Sequence, residues 1–221
     1  MIDGMWIPGN PVTYSTSKEK EWKETIEQTL HDVPIPVCDG VTMAFSLKSF
    51  SRNGHPFDLD NLCVPVFSVL VGSLGWFASN KQNIKWWRAY KKIDSNSGLT
   101  IWAGDQDGIN DSKRAPDFYD EYIGPFPSHA RDMAFIEWVR SKKTSDIPNF
   151  STFHLELQFG GNRINIAEIV TGTVKHIIDC LYPILGGSEG APEDWRVDCL
   201  EVTKGVDHID ENGVRIMIWG S

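Results

Sequence analysis

The chain has 221 residues, enough for one large domain or two small ones packed together. Its composition is that of a globular protein, with 41% hydrophobic and 23% charged residues, and no apolar run reaches the roughly 18–20 residues of a membrane span. Net charge is −9, and the excess lies in the second half: 10 basic and 10 acidic residues up to Gly104, then 11 basic and 20 acidic. An acidic chain is a poor general binder of nucleic acid, so any such role must rest on a local basic patch.

The opening MIDGMWIPGNPV lacks the basic and apolar regions of a signal peptide, which implies a cytoplasmic protein with no membrane association. It reads as a short strand running into a Gly-Pro turn. Ser17 is placed to cap the next helix, in which Trp22, Ile26 and Leu30 share one face. VTMAFSLKSF alternates Val41, Met43, Phe45 and Leu47 with small or polar neighbours, as a half-buried strand does. FDLDNLCVPVFSVLVGSLGWF reads as an apolar helix, with Pro65 near its first turn. NIKWWRAYKK and GLTIWAG read as a closing pair of strands.

The second half repeats that order. EYIGPFP matches the strand and turn, and SHARDMAFIEWVRSKK the first helix, with Trp138 standing for Trp22. FSTFHLELQF matches the alternating strand, and the segment from Arg163 to Leu181 the second helix. WRVDCLEVTK and GVRIMIWG close the set. The expected fold class is therefore α+β. Two tandem units, each a small mixed sheet with two helices, form an internal pseudo-dimer: residues 1–104, an acidic linker over 105–120, and a degenerate second copy over 121–221. Asp105, Asp107 and Asp111 in the linker do not make an EF-hand, because Ile109 and Pro116 fall where oxygen ligands belong.

The sharpest chemical signal is Asp58-Leu59-Asp60-Asn61-Leu62. On an extended segment Asp58 and Asp60 point the same way and can share a divalent ion such as Mg²⁺. The bland reading is that Asp60 or Asn61 caps the helix. Nearby, KQNIKWWRAYKK interleaves Lys81, Lys85, Arg88, Lys91 and Lys92 with Trp86 and Trp87, the charge-plus-stacking pattern of single-stranded nucleic-acid binders. A strand with one core face and one solvated face explains it equally well. The four cysteines and six histidines show no metal-ligand spacing, and buried free thiols are expected.

With Gly9-Asn10-Pro11, Trp22, Asp58-Leu59-Asp60-Asn61-Leu62, Ile84 and Lys91 or Lys92, the first half resembles the RusA family of Holliday-junction resolvases. The second half resembles it more faintly, through Gly124, Trp138, Asn165, Val197 and Lys204. The resemblance implies a magnesium-dependent endonuclease with Asp58, Asp60 and Asn61 in its site. It also implies branched or single-stranded DNA as partner, and two fused copies in place of two subunits. The departures are large. The family's lysine falls on Val64 and its second acidic pair on Asn80 and Lys81. In the second copy the first acidic pair falls on Asn162 and Ile164 and the lysine on Glu168, while Glu193 and Asp194 keep the second pair as possible further metal ligands. With one site per copy both sites are incomplete, so weak or no cleavage is expected. The alternative is a non-catalytic module that binds a protein partner.

Overall fold

The computed structural model describes residues 2–52, 54–104, 114–143 and 150–221. Residues 105–113, which carry most of the expected linker with Asp105, Asp107 and Asp111, lie outside the described residues.

Eight strands form one sheet: β1 (Ile2–Pro8), β2 (Gly40–Leu47), β3 (Trp86–Ile93), β4 (Gly98–Gly104), β5 (Phe118–Ile123), β6 (Phe153–Phe159), β7 (Val197–Lys204) and β8 (Gly213–Gly220). The spatial order is β1-β4-β2-β3-β7-β6-β8-β5. Strands β2 and β3 are parallel, as are β6 and β7; every other neighbouring pair is antiparallel. The second half thus lays out its strands in the reverse of the first half's order. The halves meet where β3 pairs with β7, with Ala89 opposite Leu200 and Trp87 opposite Val202.

This corrects the expected fold class. Instead of two small sheets, each with two helices, docked as a pseudo-dimer, there is a single mixed eight-stranded sheet with few helices. The physical reason lies in β3 and β7. Each would be an exposed edge with unpaired N–H and C=O groups if its half stood alone, and pairing them satisfies both rows.

The helices are α1 (Glu19–Leu30), α2 (Leu59–Phe67), α3 (Met133–Lys142), α4 (Thr173–Cys180) and the single turn α5 (Tyr182–Leu185). No helix among them is long and apolar enough to cross a membrane. They cover the sheet face that presents Val41, Met43, Phe45 and Leu47 from β2, Leu200 and Val202 from β7, and Leu155, Leu157 and Phe159 from β6, all buried in one core. Strand alternation sends Arg88, Tyr90, Cys199, Glu201 and His154 to the opposite face.

Two helix starts differ from expectation. Lys18, not Ser17, holds the N-cap position of α1, with no side-chain cap; the Glu19 carboxylate instead accepts the Ser15 N–H at 2.7 Å. The helix expected over Arg163–Leu181 begins only at Thr173. At Gly172 the chain packs so closely that a Cβ would lie 1.5 Å from the Glu168 carbonyl oxygen, so the segment before it turns instead of coiling on.

Trp22 is buried, whereas Trp138 is half-buried and stacks edge-on against Tyr122 at 5.0 Å. The two positions therefore differ in burial. Trp22→Ala is expected to cost about 3–5 kcal/mol, and Trp138→Ala distinctly less. Urea melts of the two variants check this; equal losses would contradict it.

Candidate functional site

Helix α2 opens with Asp58 at its N-cap, in extended conformation (φ −75°, ψ 130°). Its carboxylate does not cap the helix. It accepts a hydrogen bond from Asn61 Nδ2 at 2.9 Å instead. Asp60, in the first turn, is only 2% exposed. Asp194 enters from the second half, in a short turn (Asp194–Arg196) just before β7. Pairing of β3 with β7 brings these segments together.

The link between them is Lys175 on α4. Its Nζ lies 2.6 Å from Asp194 Oδ2, 2.9 Å from Asp179 Oδ1 and 3.2 Å from Asp60 Oδ2. An ammonium has three donors, and three carboxylates surround this one. The Asp60 contact is ionic but off the hydrogen-bonding direction, so that buried oxygen has no hydrogen bond. A second lysine fastens the frame. Lys91, buried on β3, donates to the carbonyls of Phe57 and Trp195, both at 2.6 Å. Those residues are the chain neighbours of Asp58 and Asp194, so one side chain ties both acid-bearing segments.

Four aspartates thus meet two lysines in a largely buried cluster. Burial, followed by the charges of Asp194 and Asp60, pushes the Asp58 carboxyl up to about 6, against the opposing pull of Lys175 and Asn61. Burial raises Asp194 and Asp179 as well, although Lys175 opposes it. For Lys175 burial acts downward, and Asp60, Asp194 and Asp179 outweigh it, so its ammonium is held well above the ordinary lysine value. Burial draws Lys91 down to about 8.

The second half carries the counterpart of this frame without its acids. Lys204 donates to the carbonyls of Ile164 and Gln82, as Lys91 does to those of Phe57 and Trp195. Around it stand Lys81, 3.4 Å from Glu168, and Lys85, 3.3 Å from Asn162. Asn80 accepts from Gln82 N.

Of the residues singled out in the sequence, Asp58, Asp60, Asn61 and Asp194 come together. The expectation of two separate half-sites does not hold: Asp60 and Asp194 share one lysine, and no exchange of strands is needed because β3 and β7 are neighbours. Glu193 stays outside, paired with Arg196 at 3.0 Å. The Lys81–Lys92 stretch does not form a free basic-aromatic face. Trp87 lies in the core with its indole N–H on the Ile166 carbonyl, and Trp86 is buried with its N–H on Asp39. Arg88 faces Glu201 at 3.5 Å and Lys92 faces Asp94 at 3.1 Å.

A cleft of about 420 Å³ has Phe57, the chain neighbour of Asp58, in its wall, although none of the four aspartates lines it. Asn10, Lys18, Trp22, Lys48 and Ser49 line it as well. Gly9, also in the wall, adopts φ +142°, and a Cβ there would meet the Trp22 ring at 2.9 Å.

No family model matches the chain, and no curated protein matches it. Among solved structures the chain is similar to cyanuric acid hydrolase, described as an evolutionary innovation by structural concatenation. The match has 14% identity and a TM-score of 0.30, and covers 99% of this chain and 67% of that one. A likeness of that size carries no argument about the site. The resemblance to the RusA family is corrected on other grounds: no family model matches the chain, and one eight-stranded sheet stands where two docked units were expected. The Holliday-junction resolvase reading falls with it.

Proposed function

We propose that this protein is a hydrolase that uses a hard divalent cation, of the Mg²⁺ or Mn²⁺ type, held by Asp58, Asp60 and Asp194. One observation carries the reading: carboxylates from two distant segments converge in a buried cluster with an excess of negative charge, and burial first, then the charges of Asp194 and Asp60, hold Asp58 at about 6. A dication relieves that excess. The buried Asp60 oxygen without a hydrogen bond supports the fit. Magnesium needs only one or two direct carboxylates, with water or substrate oxygens in its other positions. When bound, the ion supplies an activated water and neutralises a developing oxyanion. Lys175 holds Asp60 and Asp194 in place, and Lys91 holds the two segments. Substrates with a phosphate ester suit such an ion.

A second reading has its own observation. Lys175 already sits among three carboxylates, so it can act as the internal cation that makes a metal unnecessary. Manganese titration followed by electron paramagnetic resonance separates the two. The metal reading expects one bound ion whose affinity climbs with pH and levels off above about 6, because the ion must displace the Asp58 proton. Hydrolysis of p-nitrophenyl phosphate mono- and diesters should require the ion. No manganese bound at any pH leaves the lysine as the sole cation and sinks the proposal.

A further inference from the structure

On the face opposite the aspartates and helices, three donor groups of different chemistry meet. β6 and β7 run parallel with His154 opposite Cys199, and Glu201 lies two residues further along β7. Their ligating atoms all lie within 4.8 Å of one another, and His154 Nε2 approaches Glu201 Oε1 to 2.6 Å. The Trp219 ring of β8 flanks the imidazole, with centroids 5.0 Å apart. Among the described residues this is the group of histidine, cysteine and carboxylate that closes to such a distance.

We propose that His154, Cys199 and Glu201 form a binding site for a thiophilic divalent transition metal of the zinc class. An imidazole, a thiolate and a carboxylate are a zinc donor set, and three protein ligands leave a fourth position for water or a substrate atom. The thiolate separates this site from the all-carboxylate cluster, whose oxygens favour hard cations. The ligands stand on neighbouring strands in the middle of the sheet, so the backbone fixes their spacing before metal arrives. Ligands about 2.0–2.3 Å from one tetrahedral ion lie roughly 3.3–3.8 Å apart, so His154 Nε2 and Glu201 Oε1 must open from 2.6 Å and the three atoms readjust by small side-chain rotations. Two features oppose it: Arg88 Nε, 3.5 Å from Glu201 Oε1, competes for the carboxylate, and the pairing of His154 with Cys199 and Glu201 favours the imidazole proton that metal must displace. Without metal, His154 is paired with both Cys199 and Glu201, with Arg88 beside the carboxylate, and that metal-free cluster is the rival the experiment must exclude.

The metal-free full chain is titrated with Co²⁺ and its absorption followed. One equivalent is expected to produce thiolate-to-cobalt charge transfer and the visible bands of a tetrahedral ion. Zn²⁺ should remove both, and excess Mg²⁺ should leave them. Cys199→Ser should abolish the charge transfer, whereas Cys38→Ser should keep it. His154→Ala should weaken binding by at least about 100-fold, more than the loss typical of an outer-shell partner. Alkylation mapped by mass spectrometry supplies a test without variants: Zn²⁺ should protect Cys199 in the native chain. Absent charge transfer, charge transfer surviving in Cys199→Ser, or no protection of Cys199 would each overturn the site.

Discussion

Lys175→Met is expected to destabilise the protein by about 3–5 kcal/mol at neutral pH, the usual consequence of leaving buried charges without their partner. The methionine preserves most of the side-chain volume, so the loss is electrostatic. It leaves Asp60, Asp179 and Asp194 facing one another, with only Lys91 to offset them and Asp58. The pH dependence follows from the raised carboxyls. Asp58, Asp179 and Asp194 have folded-state pKa values above their ordinary ones, so the folded state prefers their protons. That preference contributes stability at low pH, and it is lost as pH rises through the folded values, for Asp58 about 6. Removing Lys175 strengthens the effect. The gap between variant and native chain should therefore narrow in acid and widen in mild alkali. Millimolar Mg²⁺ or Mn²⁺ should recover part of the loss if a dication takes over the lysine's role. Chemical denaturation across pH, with and without metal, measures all of this. A variant as stable as the native chain would show that the cluster is wet and the charges screened.

Strands were legible because one face of the sheet is packed and the other is not. The alternation Val41, Met43, Phe45, Leu47 marks β2, and Leu155, Leu157, Phe159 mark β6. What joins the halves was not legible. The pairing of Trp87 with Val202 relates residues more than a hundred positions apart, and no local pattern announces it. Reading each half as self-sufficient therefore produced two sheets and two half-sites. Within helices the failures were local. Gly172, at the point where the chain closes on Glu168, was the available signal that the apolar segment from Arg163 is broken.

The candidate site was half visible. Asp58 and Asp60 stood out by spacing, but Lys175 and Asp179 did not, although a signal existed. They are four residues apart on α4, interleaved with the buried Val174, Ile177 and Ile178. A charged pair among core positions of an apolar helix needs a partner across the core. Lys91 falls in the basic-aromatic stretch expected to face nucleic acid. Its register with Trp87 and Ala89 places it on the packed face, where an ammonium must find buried acceptors. The cross-strand meeting of His154 and Cys199 is another product of long-range pairing. Only Cys199 and Glu201, two apart on one strand, shared a face legibly.

Asp194→Asn is expected to weaken manganese binding by at least about 100-fold and to remove metal-dependent hydrolysis, since losing a direct ligand exceeds the typical cost of losing an outer-shell partner. Asparagine keeps the shape and gives up the charge. Lys175 retains Asp60 and Asp179 as neighbours, so the fold should hold, and relief of repulsion should bring Asp58 down towards its ordinary value. Glu193→Gln is the matched control: that side chain is 42% exposed, pairs with Arg196, and should leave manganese affinity unchanged. The comparison separates a composite site from two independent halves. If Asp58 and Asp60 alone bound the ion, Asp194→Asn would behave like Glu193→Gln. If the segments act as one site, combining Asp194→Asn with Asp60→Asn should cost much less than the sum of the single losses, because either change alone already dismantles it. Titrations of the native chain and the four variants under one buffer decide between these outcomes, and additive losses would mean that the two halves bind metal separately.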